Sequence, residues 1–347
     1  MPQQVLVVTL VGVLLAGAAA AQTNEENRQR CRDRNPDLAI GGCTDVIQSG
    51  QETTQNLSVA FFNRGNAYLA KGEYDRAIQD YDQAIELNPT FGAFNNRGLA
   101  YKDKGQNDRA IQDYDQALKL NPNFGFAFAN RAVAYAQRGD YDRAIRDFDE
   151  AVQRDPRNAN TVFNRGIVHA ERGQYDRAIQ DYDQAIKLDP TYAIRPGPSY
   201  AVAFNNRGFG YFAKGHYDRA IQDYDQAITL NPNSGTLFCN RGDAYTAKRQ
   251  YDRALQDYDR ALDLNPNDAD ALDSRGIAYY AKGQYDRAIA DYDAALKLDP
   301  KRATSLYGRG VARRMTGDTA GGAVDIAAAR QLQADIEEVM AEAGVRP

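Results

Sequence analysis

Six short stretches place two carboxylates on either side of a phenol: Asp80-Tyr81-Asp82, Asp113-Tyr114-Asp115, Asp181-Tyr182-Asp183, Asp223-Tyr224-Asp225, Asp257-Tyr258-Asp259 and Asp291-Tyr292-Asp293. Carboxylates beside a proton donor are the parts of general acid–base catalysis. On a helix, however, the two aspartates of each triplet stand at i and i+2 and point apart. Near-identical copies argue for a role that every copy shares, and the arginine column from Arg64 to Arg309 is expected to pair with an aspartate of the second helix in the same or the next unit. A calcium loop would need the D-x-[DN]-x-[DN]-G spacing, which is absent. The two histidines, His169 and His216, lie far apart with no paired Cys or second His beside either, so no metal pair is expected. Cys239 stands alone and reads as a small apolar filler. A catalytic constellation is unique within its chain, whereas almost everything polar here recurs. No catalytic residue, cofactor or metal is therefore expected.

What recurs is a unit. "NRGNAYLAKGEYDRAIQDYDQAIELNP" (63–89) returns as "NRGFGYFAKGHYDRAIQDYDQAITLNP" (206–232). Gly65, Gly98, Ala132, Gly166, Gly208, Gly242, Gly276 and Gly310 form one column. Ala77, Tyr81 and Ala84 head three more, and the units end at Pro89, Pro122, Pro156, Pro190, Pro232, Pro266 and Pro300. Phe61, Gly65 and Tyr68 fall at i, i+4 and i+7, one face of a helix, and Ala77, Tyr81 and Ala84 mark a second. Lys71-Gly72 and its copies supply a left-handed stop between the two helices, and the prolines end the second one. One such hairpin cannot bury its own face, so the units must stack.

This pattern resembles the tetratricopeptide repeat, a 34-residue helix–turn–helix, over Ser58 to about Ala334. It is read as an exported bacterial member with eight repeats. The resemblance implies an all-α fold, an α-solenoid: a right-handed superhelix of helix–turn–helix units. Where the family favours leucine just before the small-residue column, this chain has arginine throughout. The resemblance also implies a concave groove, lined by the first helix of each unit, that takes a partner segment. Its lining here is Asn63, Asn66, Asn96, Asn130, Asn164, Asn206 and Asn240 with Phe163, Ile167 and Phe209, and beyond them Ile277 and Tyr280. Amides donate and accept, so such a ladder suits the backbone of an extended or helical peptide. The other reading of the same amides is that they cross-link neighbouring helices. Family members that grip a C-terminal carboxylate use Lys or Arg in this groove, and that cationic half is missing.

The ends differ from the array. "VLVVTLVGVLLAGAAAAQ" (5–22) is an apolar run closing on small residues, read as a signal peptide over 1–21, although no Lys or Arg precedes the run. The alternative is an N-terminal membrane anchor. The expected location is periplasmic or secreted, with no membrane insertion after cleavage. Residues 22–57 form a cap in which "PDLAIGGCTDVI" (36–47) follows the outline of "YDRAIQDYDQAI". Cys31 and Cys43 then face into one hairpin: a disulfide in an exported chain, two buried thiols in a reducing compartment. The array occupies 58–334, with an insertion at 191–199 that reads as a rim loop or a hinge, and residues 335–347 form a C-terminal capping helix and tail. Net charge is −5 with no basic block, which argues against nucleic acid. The function expected is a non-enzymatic scaffold whose partner is another protein. The alternatives are an envelope assembly or structural factor, or a non-catalytic subunit of a cell-envelope enzyme.

Overall fold

A computed structural model describes residues 24–189 and 198–346. The expected signal peptide and all but the end of the insertion lie outside the described residues. The described chain is all-α, an α-solenoid of stacked helical hairpins; no strand occurs among the described residues. It divides into two compact bodies, Met1–Val168 and His169–Pro347.

The first body opens with a helix over 24–30 (α1) and α2 (Pro36–Gln48). Hairpins follow: α3 (Thr54–Ala70) with α4 (Tyr74–Leu87), α5 (Phe91–Asp103) with α6 (Asn107–Leu120), and α7 (Gly125–Gln137) with α8 (Tyr141–Arg154). The division between the bodies lies within α9 (Ala159–Glu171). The second body continues with α10 (Tyr175–Leu188). It then pairs α11 (Pro198–Ala213) with α12 (Tyr217–Leu230), α13 (Gly235–Ala247) with α14 (Tyr251–Leu264), α15 (Ala269–Ala281) with α16 (Tyr285–Leu298) and α17 (Ala303–Met315) with α18 (Thr319–Leu332). A short α19 (Ile336–Glu342) ends it. The odd-numbered helices from α3 to α17 are called A helices below, their even-numbered partners B helices.

The columns explain the packing. The alanines flanking each B-helix tyrosine are fully buried, and Tyr81, Tyr114, Tyr224, Tyr258 and Tyr292 are sealed against the A helix. Each tyrosine ring packs close against the column glycine. A Cβ added at Gly98 would sit 2.8 Å from Tyr114 Cε1 and 3.2 Å from the Ala110 carbonyl oxygen. The hairpin whose column residue is Ala132 has Phe148 in place of tyrosine, in the same core cluster. We expect Gly98→Ala to destabilise the first body by about 1–2 kcal/mol, because overpacking outweighs the roughly 1 kcal/mol that alanine gains in a helix interior. Tyr114→Phe in the same chain should recover part of the loss, since the Tyr114 hydroxyl is buried without a partner. Urea denaturation of the parent and the two variants reads the difference.

Between the A and B helices, Gly72, Gly105, Gly139, Gly173, Gly215, Gly283 and Gly317 all take positive φ. The Glu73 amide reaches back to the Tyr68 carbonyl at 2.9 Å and the Gly72 amide to Leu69 at 3.0 Å, which closes the helix end. Arg249 takes the same backbone conformation, φ 58°, without being glycine.

Candidate functional site

The arginine–aspartate pairing is structural and follows one rule. Arg97 makes a bidentate contact to Asp113 of its own hairpin, Nε to Oδ2 at 2.8 Å and Nη2 to Oδ1 at 2.6 Å. Its third nitrogen donates to Asp82 of the preceding hairpin at 2.6 Å. Arg131 joins Asp147 and Asp115, Arg207 joins Asp223 and Asp183, Arg241 joins Asp257 and Asp225, Arg275 joins Asp291 and Asp259, and Arg309 joins Asp325 and Asp293. The two aspartates around each tyrosine thus serve different hairpins, which is why they point apart. Arg64 has no full hairpin before it, and there Thr44 Oγ1 accepts at 3.1 Å in the place of the missing aspartate. Lys71 likewise pairs with Asp37 at 2.6 Å, as Lys104 pairs with Asp75 one hairpin later. The cap therefore repeats the hairpin's bonding as well as its outline. Cys31 and Cys43 are joined by a disulfide there, and Cys239 is free.

The histidines enter no site. His169 is buried, with Nδ1 2.9 Å from Gln174 Oε1, and His216 is exposed at the start of α12. Among the described residues no cluster of His, Cys, Asp and Glu could hold a metal ion, and no helix is long and apolar enough to cross a membrane.

Asn63, Asn66, Asn96, Asn130, Asn164, Asn206 and Asn240 are all partly buried on A helices. Asn66 and Asn96 bind each other, and Asn95 and Asn205 beside the stripe tie in Asn130, Asn206 and Asn240. Asn96 Nδ2 donates to Asn66 at 2.8 Å, and Asn66 also accepts from the Tyr81 hydroxyl at 2.8 Å. Asn95, a buried residue, donates to Asn96 at 2.9 Å and accepts from Asn130 at 3.1 Å. In the second body Asn240 donates to Asn205 at 2.7 Å, Asn205 to Asn206 at 3.3 Å, and Tyr182 hydrogen bonds with Asn206. These amides cross-link successive A helices, and each keeps unused donors or lone pairs for a further partner. Phe163 and Ile167 are partly buried on α9. Phe209 is 48% exposed, and on the same A helices Phe126 is 61% exposed, Val202 40% and Val59 37%.

At the far end of the second body this face is covered. The segment from Ile336 to Arg346 lies against α17 rather than only extending α18. Ile336, Met340 and Val345 are buried in one cluster with Leu306, Tyr307 and Val311, and Ile277 and Tyr280 of α15 pack against it. The Tyr280 hydroxyl donates to the Arg346 carbonyl at 2.7 Å. Ile277 and Tyr280 belong to the groove lining expected from the sequence, so the chain's own C-terminal segment rests on that lining.

Beside this segment is a cavity of about 480 Å³ that breaks the repeat. Its lining includes Phe212, Tyr217, Asp243, Thr246, Arg249, Tyr251, Tyr258, Ser274 and Ile277, with Glu342 to Gly344 as one wall. Asp243 Oδ1 accepts from the Tyr258 hydroxyl at 2.7 Å, Thr246 Oγ1 lies 3.0 Å from that hydroxyl, and Ser274 also bonds to the carboxyl. Sequence reasoning missed this site. The signal was present: Asp243 occupies a column otherwise filled by Asn66, Leu99, Val133, Ile167, Phe209, Ile277 and Val311, and Arg249 interrupts the column of Gly72.

Burial pushes the Asp243 carboxyl up to about 6, against its hydrogen bonds from Tyr258 and Ser274 and with help from Asp270 and Asp273 on α15. The folded-state value lies above that of the unfolded chain. Stability from the protonated form is thus fully present below about pH 4 and lost as pH rises through 6. Asp243→Asn should therefore raise stability by about 1–2 kcal/mol at pH 7.5, with no gain at pH 3.5. Denaturant midpoints at the two pH values check the sign.

Four family models, each describing the tetratricopeptide repeat, match this chain: one at residues 58–91, 92–124 and 201–234, and the others at 129–193, 223–256 and 242–315. PilF of Pseudomonas aeruginosa superposes with a TM-score of 0.53 at 23% identity, over 62% of this chain and 94% of that one. The C-terminal part of a repeat protein from Cytophaga hutchinsonii gives 0.56 at 20%, over 71% and 98%. A repeat protein from Parabacteroides merdae gives 0.53 at 18%, over 74% and 98%. At these identities the likeness is one of fold. No curated protein matches the chain.

Proposed function

We infer the function of this chain from its family, for it belongs to the tetratricopeptide repeat proteins, and we propose that it is a non-catalytic scaffold whose A-helix face captures a segment of another protein. The observation that carries the reading is the C-terminal segment itself, which rests on α17 and reaches Tyr280 by a hydroxyl-to-backbone bond. A face that accommodates a short helix and the turn after it from its own chain has the chemistry for a partner's. Exposed Phe126 in the first body and Phe209 in the second provide apolar contacts, and the residual capacity of Asn130, Asn164 and Asn206 suits main-chain groups. The periodic charges are already paired, so capture should depend weakly on salt. The Cys31–Cys43 disulfide favours an oxidising compartment, hence a periplasmic or secreted location.

The test is capture against stability. Phe126→Ala with Phe209→Ala should reduce partner recovery from the source cells at least tenfold while melting stays within a few degrees. Gln79→Ala with Gln222→Ala, on exposed B-helix faces, should change neither. Undiminished capture by the phenylalanine pair would remove the A face from the function.

A further inference from the structure

The cavity at Asp243 differs from the rest of the A face in chemistry, and it deepens the capture reading on which it rests. Elsewhere the column of Asp243 is apolar or amide; here it is a carboxylate at the edge of 480 Å³ of open space. Aromatic rings from three further helices, Phe212, Tyr217, Tyr251 and Tyr258, line that space. A carboxylate held by two hydroxyls has no cation partner among the contacts it makes with Tyr258 and Ser274. Asp270, by contrast, has Arg302 at 2.7 Å, and Asp257 has Arg241. A cation entering the cavity would meet a negative oxygen and aromatic side chains together.

We propose that the Asp243 cavity receives the ammonium or guanidinium end of a lysine or arginine side chain from the captured partner segment. The A face would then combine a sequence-tolerant stretch with one basic specificity pocket. The neighbouring C-terminal segment places Glu342 on the cavity wall, which adds to the preference for a cation. Arg249 lines the same space but is exposed, free to turn its guanidinium into solvent. The volume is ample for a lysine or arginine side chain, and the carboxyl must be ionised to hold it. Binding should weaken below the pH at which Asp243 takes up a proton, with Asp270, Asp273, Glu342, Arg249, Tyr217, Tyr251 and Tyr258 as the other titratable groups around it.

The probe is N-acetyl-lysine methylamide, titrated into the full chain and followed by the ring signals of Tyr217, Tyr251 and Tyr258 in carbon–proton spectra. Saturable shifts are expected, with the uncharged N-acetyl-norleucine methylamide binding at least tenfold more weakly. Asp243→Asn should equalise the two, and Glu86→Gln, an exposed carboxylate in the first body, should not. Equal response to both amides, or a lysine preference that survives in Asp243→Asn, overturns the proposal. Tenfold tighter binding of 1,4-diaminobutane than of the lysine amide would assign the cavity to a free amine and overturn the partner-segment reading. Each of these results leaves the capture comparison of Phe126 and Phe209 intact, so failure of the pocket and failure of the scaffold are read separately.

Discussion

Arg97→Leu, which restores the residue type the repeat family favours, is expected to destabilise the first body by about 3 kcal/mol or more. Asp113 is 4% exposed, and the guanidinium gives it two hydrogen bonds while holding Asp82 with a third. Arg97 also stacks over Phe94, 5.5 Å from the ring centroid. Leucine would fill part of the volume and leave a buried carboxylate with no cation. Burial already raises the Asp113 carboxyl above the usual range in spite of Arg97, so the lone group would protonate readily. The penalty should therefore be largest near neutrality and shrink as pH falls. Arg97→Leu with Asp113→Leu should recover most of the loss, because a matched apolar pair replaces a matched ionic one. Urea titrations of the two single variants and the double variant close the cycle. A single variant as stable as the parent would mean that the ladder is a surface ornament and not the joint between hairpins.

Ile336→Asp with Met340→Asp should detach the C-terminal segment from α17. Both side chains are essentially inaccessible, in a cluster with Leu306, Tyr307 and Val311. Burying either carboxylate unpaired would cost several kcal/mol, more than a seven-residue helix can supply, so the segment should leave instead. Limited proteolysis should then cut near 333–336 while α3 to α16 keep their circular dichroism. The uncovered lining around Ile277 and Tyr280 should bind a hydrophobic dye. If the variant resists proteolysis as the parent does, the segment is not held by these contacts.

How much of this could be read from the letters follows from periodicity. The hairpins, their turns and the small-residue column repeat at fixed spacing, and each repetition restates one packing rule. Gly98 and Tyr114 each fall in a fixed column, but that the ring packs on that glycine follows only from how the two helices face each other. The arginine column was legible as an ion-pair ladder within a hairpin, but the second bond runs back to the preceding hairpin and not on to the next as expected, because its direction depends on how hairpins stack. The asparagines were legible as a stripe and ambiguous in use, since an amide serves a neighbour as readily as a ligand. Asn95 and Asn205 stand beside that stripe in the sequence, and only the stacking of the hairpins makes them the residues that tie it together. Asp243 escaped because attention to what recurs discards what does not, and because only the fold brings Tyr258, Ser274 and the C-terminal segment around it. The resting place of that segment could not be read either, because α19 is too short to carry a pattern of its own.

The partner is expected to meet the A-helix face and not the charged B-helix face. This is tested most directly by placing a photo-crosslinking phenylalanine analogue at Phe126, Phe209, Gln79 and Gln222, one at a time, in the source cells. One common crosslinked species is expected at 126 and 209 and none at 79 and 222. The same species at 79 and 222, with none at 126 and 209, would contradict that expectation.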